Sequence, residues 1–408
     1  MAQTPVINAQ LDTANAELVK IVEGFARQNL LLSQMITSSD QATSATVLNE
    51  IHEIVRSGEA ANVFSIGDQI NVAYNDGTSN YVLPFDIVHF DNVVLQDGET
   101  VPGMYIQSHY AMQGVQFDAR EAFYVVPSTG LGAGYYNFTV TSAWGSTATG
   151  TYMFQATSDL PGGALLVFDS DIYSGIVNTK VNVYASATAT TASAQYTITS
   201  GNTGTSLGDL GNGAQGTLNN ITCATYGYNR WSQSAIRQFL NSDSAANAWW
   251  TPKNSFDRAP SQLTTLPGFM AGFDAAFLNI IKPVKVTTAL NTVSDSGIGT
   301  SENTYDTFFP ASLEQEYIVP QLANTEGVYW EYWKRRLGLS SPQAQGSGGT
   351  NPAHIRYGYD ARTTAQYCRL RSAYRGNAFN TWYVYTSGYA YNTNATYTIR
   401  CAPACVIC

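Results

Sequence analysis

From residue 62 onward the chain is dominated by short runs in which apolar and polar residues alternate, separated by turn-forming residues. Alternation with a period of two places successive side chains on opposite faces of a strand, so these runs predict β-structure. Only 12% of the residues are charged, and Gly, Ser, Thr and Asn fill much of the remainder. We expect an α+β, mostly β fold, whose first strands lie in residues 64–70, 71–74, 81–90 and 123–126, with a hairpin turn at the Asn-Asp-Gly of 75–77.

Changes in this pattern divide the 408 residues into four stretches. Single cores usually stop growing near 250 to 300 residues, so more than one folded unit is expected. We predict a helical attachment or oligomerisation segment at 1–60, and a main domain whose two parts are 61–133 and 205–408. Between those parts, 134–204 predict an inserted small β-sandwich, because strand-like runs there are separated by Gly, Ser and Thr. The Gly/Asn/Thr-rich stretch 200–216 predicts a linker.

The N-terminal segment carries a heptad pattern over residues 11–36. Leu11, Leu18, Phe25 and Leu32 lie seven residues apart, which predicts a helix with an apolar seam. A coiled coil between protomers, such as a homotrimer, and packing on the neighbouring segment both fit this pattern. A second helix is predicted over 44–56, and shorter ones over 231–241, near 312–317 and near 328–335.

Charge and hydropathy argue against two classes of partner. The net charge of −10 and the pI near 4.8 would repel phosphate backbones and anionic lipid, and no Lys/Arg run forms a local basic patch. We therefore expect no nucleic-acid partner. No run approaches 18 uninterrupted apolar residues, and the first residues lack the pattern of a secretory signal, so we expect no membrane insertion.

The five cysteines are too few and too clustered to predict a disulfide framework in a chain of this length. Cys401, Cys405 and Cys408 form a C-x3-C-x2-C tail. A tetrahedral zinc site needs four ligands, and all four histidines lie far upstream of the tail. Buried thiols in a terminal strand are the favoured interpretation over a metal site, and we expect no cofactor.

The segment from Tyr374 to Tyr397 has the most distinctive composition. Its 24 residues contain six Tyr, four Asn and four Thr, and their only charge is Arg375. Tyr offers a large, rigid, amphipathic contact surface at low entropic cost, and Asn offers adaptable hydrogen bonds. Tyrosines flank Val384 and Ala390, so alternation puts aromatic side chains on one face of each strand. A ligand-binding surface and a buried aromatic core both fit this alternation.

The same region resembles the C-terminal variable region of diversity-generating retroelement target proteins, which include phage tail-fibre tropism determinants with a C-type-lectin-like fold. The resemblance rests on Arg369-Leu-Arg-Ser-Ala373, Gly376-Asn-Ala378, Trp382-Tyr-Val384, Ser387-Gly388 and the closing 398–405. The 231–241 helix and the strands within 64–90 resemble the upstream half of that fold, so the resemblance covers about residues 60–130 and 205–408. It implies a C-type-lectin-like, formylglycine-generating-enzyme-like domain with a variable region at about 365–408.

In that family an error-prone reverse transcriptase rewrites template adenines, so that Asn codons either remain Asn or become codons for Tyr, Ser, Phe, Asp, Gly, Thr and several other residues, without ever giving a stop. A residue that varies must be exposed if its identity is not to affect folding. The resemblance implies an unvarying frame of Leu370, Ala373, Trp382, Val384, Gly388, Ile399 and Pro403. It implies ligand-binding, variable positions at Tyr374, Phe379, Asn380, Tyr383, Tyr385, Tyr389, Tyr391, Asn392, Asn394 and Tyr397.

The resemblance also implies a function. We expect a receptor-binding protein of a phage or prophage, made in the bacterial cytoplasm and carried on the virion tail or surface. Its partners would be a bacterial surface protein or glycan and other virion tail proteins. Two alternatives remain: a structural virion protein, for decoration or in the tail, and a bacterial surface protein carrying the same variable module.

Enzymatic alternatives find less support in the residues. Formylglycine-generating enzymes share the fold class, and Ile399-Arg-Cys-Ala402 resembles their closing motif, but Tyr367 and Ser372 occupy the positions of their copper-binding thiols. The Glu-Pro-Asn, Gln-Pro-Asp and Trp-Asn-Asp motifs of calcium-dependent lectins do not occur. Asp86 and Asp91 lie near His89, but turn and cap roles are commoner for such residues. We expect no enzyme activity and no metal.

Overall fold

The computed structural model describes residue 10 and residues 12–19, 41–140, 149–169, 176–209, 221–222 and 227–408. Strands far outnumber helices, so the chain is α+β and mostly β, as the alternating runs predict. The strands are β1 Gln69–Asn75, β2 Asn80–Val94, β3 Thr100–Ser108, β4 Val115–Gln116, β5 Phe123–Val125, β6 Gly134–Val140, β7 Gly150–Ala156, β8 Leu165–Phe168, β9 Lys180–Tyr184, β10 Ala194–Thr197, β11 Thr199–Ser200, β12 Thr205–Asp209, β13 Ile221–Thr222, β14 Val284–Ala289, β15 Ser301–Asp306, β16 Phe309–Pro310, β17 Arg356–Tyr357, β18 Ala365–Gln366, β19 Cys368–Ala373, β20 Asn380–Val384, β21 Ala390–Asn394, β22 Thr398–Cys401 and β23 Pro403–Ile407.

The α-helices within residues 41–408 are short, and each buries part of its surface. Their bounds are α1 Ala45–Arg56, α2 Ala60–Val63, α3 Ala235–Leu240, α4 Ala275–Ile280 and α5 Glu331–Leu337. The predicted 44–56 helix is confirmed as α1, whose first turn is capped by the Ser44 hydroxyl accepting from the Val47 amide. Of the predicted heptad helix, residues 12–19 are helical, and most of the remainder lies outside the described residues.

The shorter predicted helices differ in outcome. The 231–241 prediction is confirmed as a 3₁₀ turn at Trp231–Gln233 followed by α3. The helix predicted near 328–335 exists but begins three residues later, as α5. The helix predicted near 312–317 is wrong, because the chain there makes only a turn, which Tyr317 ends with a φ of 57°. A positive φ is incompatible with a right-handed helix.

The main core surrounds a five-stranded sheet in the order β1-β2-β3-β23-β16. The C-terminal strand β23 is inserted between β3 and β16 and is buried along its whole length. Helix α1 packs near the C-terminal end of β23, where the His52 ring is 2.9 Å from the Cys408 carbonyl oxygen. The β1–β2 hairpin is confirmed. The strand predicted from residue 64 is wrong over 64–68, where Gly67 has a φ of 99° and the Ser65 amide donates to Asp68 across a turn.

A second apolar core lies in residues 122–207, between sheets β10-β9-β8-β5-β13 and β11-β7-β6-β12. Phe138, Phe154 and Phe168 are fully buried in it. The strands extend beyond the predicted 134–204, since β5 precedes that range. The predicted linker is wrong over 205–209, because β12 pairs there in parallel with β6. Residues 210–216 of that stretch lie outside the described residues.

A third sheet, here called the tyrosine sheet, has the order β21-β20-β19-β22-β4 and carries the predicted variable region. Parallel pairing of β19 with β22 follows from a long excursion through the β20–β21 hairpin. After β22 the chain passes through buried Ala402 directly into β23. The tyrosine sheet is therefore anchored to the main core by the strand that follows it.

Candidate ligand-binding surface

The β20–β21 hairpin sets the arrangement of the tyrosines. Tyr383 pairs with Tyr391 across the ladder, and Val384 pairs with Ala390. The Tyr385 amide donates to the Tyr389 carbonyl at 2.8 Å and closes the hairpin. Directly paired residues share a face. Tyr383, Tyr385, Tyr389 and Tyr391 consequently lie on one side of the sheet.

Five rings on that side form one cluster, which we call the tyrosine surface: Tyr367, Tyr383, Tyr385, Tyr389 and Tyr391. The Tyr385 and Tyr389 rings are stacked, with centroids 4.7 Å apart and an interplanar angle of 11°. Tyr367 contacts Tyr385 edge-on at 4.9 Å and Tyr383 at 5.7 Å. Tyr391 meets Tyr389 edge-on at 6.3 Å. Stacked and edge-on ring pairs at these separations are attractive, so the cluster holds its own shape.

The members of the tyrosine surface differ in exposure. Tyr391 is 51% exposed and Tyr367 is 41% exposed, whereas Tyr383 is only 7% exposed. Tyr385 and Tyr389 are half-buried. The expectation that every variable tyrosine is exposed is therefore wrong for Tyr383, because its neighbours' rings cover it. The Tyr383 ring lies beneath the partly exposed rings of the tyrosine surface.

The opposite side of the tyrosine sheet is a small apolar core. Leu370, Trp382 and Val384 are buried there with Leu313 and Ile318. These strand residues were all predicted as frame, and the remaining predicted frame residues, Ala373, Gly388, Ile399 and Pro403, are buried too. The alternation of the sequence thus separates a packed side from a displayed side.

The predicted asparagines lie apart from the tyrosine surface. Asn392 pairs with Trp382, and Asn394 pairs with Asn380, so by alternation they belong to the opposite side. The Asn380 amide donates to the Asn392 side-chain oxygen at 2.8 Å. All three are half-buried. The structure therefore separates the predicted tyrosine and asparagine positions into two groups rather than one mixed surface.

The remaining predicted residues flank the hairpin. Tyr374 and Phe379 lie in the loop between β19 and β20 and are half-buried, and the Tyr374 ring packs 5.7 Å from that of Trp382. Tyr397 lies before β22 and is 43% exposed. Among the described residues, the Tyr374 and Tyr397 rings make no ring contact with the tyrosine surface.

Two features fix the backbone beneath the tyrosine surface. The fully buried Arg369 guanidinium donates to the carbonyl of Tyr397 at 2.8 Å, to that of Asn394 at 3.3 Å, and to the Thr381 hydroxyl. Gly388 turns the hairpin with a φ of 87°, and a Cβ there would overlap the Asn351 carbonyl oxygen. Hydrogen bonds to main-chain carbonyls do not depend on the side chains displayed at those positions.

The electrostatics of the surface are close to neutral. Residues 376–399 contain no charged side chain. Burial raises the pKa of Tyr383 and of Tyr389, and a hydrogen bond with Tyr385 followed by burial raises that of Tyr367. The hydroxyls therefore stay protonated at physiological pH and can both donate and accept hydrogen bonds. The arrangement can bind by stacking and hydrogen bonding, without a formal charge at the contact.

Comparison with known proteins gives one family match, and it covers the part of the chain that contains the tyrosine surface. Residues 215–407 match a family model described as a domain of unknown function, DUF6273. No curated protein and no solved structure matches the chain. The matched residues include the whole tyrosine sheet except β4.

Asp86 does not join His89 in the acid/base cluster that the sequence offers. Asp86 is paired instead with His109, whose Nδ1 is 2.9 Å away, and it accepts from Gln69 and Tyr332 at 2.8 Å. Burial alone would raise the pKa of Asp86, but the hydrogen bonds with His109 and Gln69 and the nearby Arg356 guanidinium lower it overall. A bulge between Ile87 and His89 shifts the register of the β2–β3 pairing at this point.

The cysteine tail is packed inside the protein. Cys401, Cys405 and Cys408 are buried, and burial raises the pKa of the Cys408 thiol to about 11. Within the described ranges, no group of three or more His, Cys, Asp or Glu side chains is placed to hold a metal ion. In the same part of the chain, none of the helices has the length and apolar character needed to span a bilayer.

Sequence reasoning missed Tyr367. It lies two residues before Arg369, which pairs with Tyr383, so a period of two places it on the tyrosine side. The signal was present in the alternation. Tyr367 lies seven residues before Tyr374, outside the Tyr-rich segment from which the binding residues were predicted.

Proposed function

We propose that the chain is a ligand-recognition protein of a phage or prophage, in which a retroelement-diversified surface binds a bacterial surface target. The observation that carries this proposal is the tyrosine surface: four partly exposed rings over one buried ring, with no charged residue in 376–399. Exposed clusters of large aromatic residues usually mark interaction sites. Tyrosine is enriched in such sites because each ring adds contact area at little entropic cost.

The proposed mechanism is non-covalent recognition without a cofactor. The rings offer stacking faces and their protonated hydroxyls offer hydrogen bonds, while the packed Trp382 side keeps the strands in place. Affinity at one such site would be modest, and several copies on one virion would raise it by avidity. A C-type-lectin-like fold for the main domain is part of the same proposal and is supported by the motifs quoted from 369–405.

Diversification is tested on DNA. The region around the gene is sequenced for a near-copy of the codons for residues 365–408 that differs at template adenines, beside a reverse-transcriptase gene. Finding both would assign the variable positions one by one. If they are missing and the codons for residues 374–397 are invariant among sibling genomes, the surface is not diversified, and a structural virion protein becomes the better account.

Binding is tested on cells. The labelled protein is compared with a triple variant, Tyr385→Ser, Tyr389→Ser and Tyr391→Ser, for retention on a panel of bacteria. The matched control removes two exposed tyrosines elsewhere, Tyr135→Ser and Tyr329→Ser. We expect retention to fall at least tenfold for the triple variant alone, since each lost hot-spot ring costs about 2 kcal/mol or more. Equal retention of all three proteins would refute a binding role for the tyrosine surface.

A further inference from the structure

A buried side chain far away in sequence fixes the loop between β19 and β20. Asn229 is fully buried and precedes the Trp231–Gln233 turn. Its Nδ2 amide lies 3.2, 2.9 and 2.8 Å from the carbonyl oxygens of Tyr374, Asn377 and Asn380, respectively. Its backbone amide donates to the Ala378 carbonyl at 2.9 Å. One residue thus contacts the start, middle and end of loop 374–380.

The orientation of this amide is itself fixed. The Asn229 side-chain oxygen accepts from the Asn291 amide at 3.0 Å, so the nitrogen must face the loop. Asn291 is 1% exposed and is held in turn by Asp295 at 2.8 Å. The Asn291 oxygen accepts from the backbone amides of Val293 and Ser294. A satisfied buried network of this kind leaves a single rotamer for each member.

All four loop acceptors of Asn229 are main-chain carbonyls. A main-chain carbonyl is the same whichever side chain the residue carries, apart from the restrictions of Gly and Pro. Three of the predicted variable positions, Tyr374, Phe379 and Asn380, lie in this loop. Asn377, whose own side chain accepts from the Phe379 and Asn380 amides, was not predicted to vary.

We propose that Asn229 is the positioning residue of loop 374–380 and keeps the loop backbone in one shape whatever side chains the loop displays. The inference rests on the proposed function for its purpose, because only a surface that changes its side chains needs an anchor indifferent to them. Asn229 does not itself contact the ligand. It acts through the loop, from outside the variable region.

The test is hydrogen exchange of loop amides in the full-length protein. Asn229→Asp keeps the size of the side chain but turns its donor into an acceptor that faces three carbonyls. We expect peptides covering 374–380 to exchange about tenfold faster or more, which corresponds to losing roughly one to two hydrogen bonds. Peptides from β6 to β9 should be unchanged. Asn182→Ala, at a buried asparagine of the second core, should leave the loop unchanged.

A pH profile separates positioning from a merely structural role. At low pH the Asp introduced at position 229 becomes a neutral acid that can donate one hydrogen bond. The excess exchange of Asn229→Asp over wild type should therefore shrink as pH falls. Asn229→Ala has no such group and should show a constant excess. Asp295, which the Asn291 network connects to this site, and Arg230 are present in all the proteins, so comparison at equal pH cancels their effects.

Phe379→Ser tests whether the loop backbone keeps its shape when a displayed side chain changes. This substitution should change the exchange rates of the loop amides less than about threefold. The proposal is overturned if Phe379→Ser loosens the loop as much as Asn229→Asp does. It is also overturned if Asn229→Asp accelerates exchange throughout the protein without a local excess. Should the Asp variant fail to fold, Asn291→Ala, which frees the amide to turn, must give the same local pattern. No ligand is used, so failure here is distinct from failure of the cell-binding test.

Discussion

Gly388 gives the sharpest test of how the tyrosine hairpin is held. Its φ of 87° favours glycine, and a Cβ at this position would overlap the Asn351 carbonyl oxygen and lie 2.8 Å from its carbon. In Gly388→Ala the left-handed backbone costs about 1 to 2 kcal/mol. Relief of the overlap must separate the two segments and break the hydrogen bonds that the Gly388 carbonyl accepts from the Asn351 amide and the Gln343 side chain. At about 0.5 to 1.5 kcal/mol each, the total becomes about 2 to 5 kcal/mol.

Two other glycines separate these contributions. Gly346 has a φ of 76° but open space around its Cβ position, so Gly346→Ala should cost only the backbone strain, about 1 to 2 kcal/mol. Gly348 has neither feature, and its alanine variant should be within about 0.5 kcal/mol of wild type. The assay is urea unfolding followed by tryptophan emission. If Gly388→Ala is no less stable than Gly346→Ala, contact with Asn351 does not hold the hairpin.

Three further predictions concern buried ionisable residues. Burial, then the charge of Asp257, raises the pKa of Asp118, so the folded state retains a proton that the unfolded state releases. The contribution of Asp118 to stability therefore falls as pH rises above about 4. The unfolding temperature of Asp118→Asn, relative to that of wild type, should rise between pH 4 and pH 7, and a difference that stays constant over this range would refute the prediction. The pKa of Asp86 is lowered, its hydrogen bond to His109 outweighing burial, so its contribution is present above about pH 4 and lost as pH falls through the folded value. Asp86→Asn should be destabilised at pH 7 but progressively less so in acid, and an equal loss at both pH values would contradict the argument. Arg369→Met keeps apolar volume but removes the guanidinium donor to the Tyr397 carbonyl and one of the two donors to the Asn394 carbonyl, so urea unfolding should show a loss of about 1 to 3 kcal/mol; an unchanged unfolding midpoint would contradict a stabilising role of Arg369.

Several elements could be predicted because their determinants are local. Ser44 and the apolar spacing after it specify helix α1, and Asn-Asp-Gly specifies the first hairpin turn. The burial of Leu370, Trp382 and Val384 follows from alternation, since strand side chains change face at every residue. The helix predicted near 312–317 was wrong because the residues of that turn have helical composition. Nothing in the neighbouring residues reveals the positive φ of Tyr317.

By itself the sequence determined a mostly β chain, the alternation that separates tyrosines and asparagines onto opposite faces, and the absence of charged residues from 376–399. Only the tertiary structure decided that Tyr383 is covered and that pairing of β19 with β20 brings Tyr367 beside Tyr383 and Tyr385. It also decided that Asn229, 145 residues before Tyr374, anchors the loop. The physical reason is that exposure and hydrogen-bond partners depend on which strands become neighbours, and pairing between distant segments leaves no periodic signal in either one.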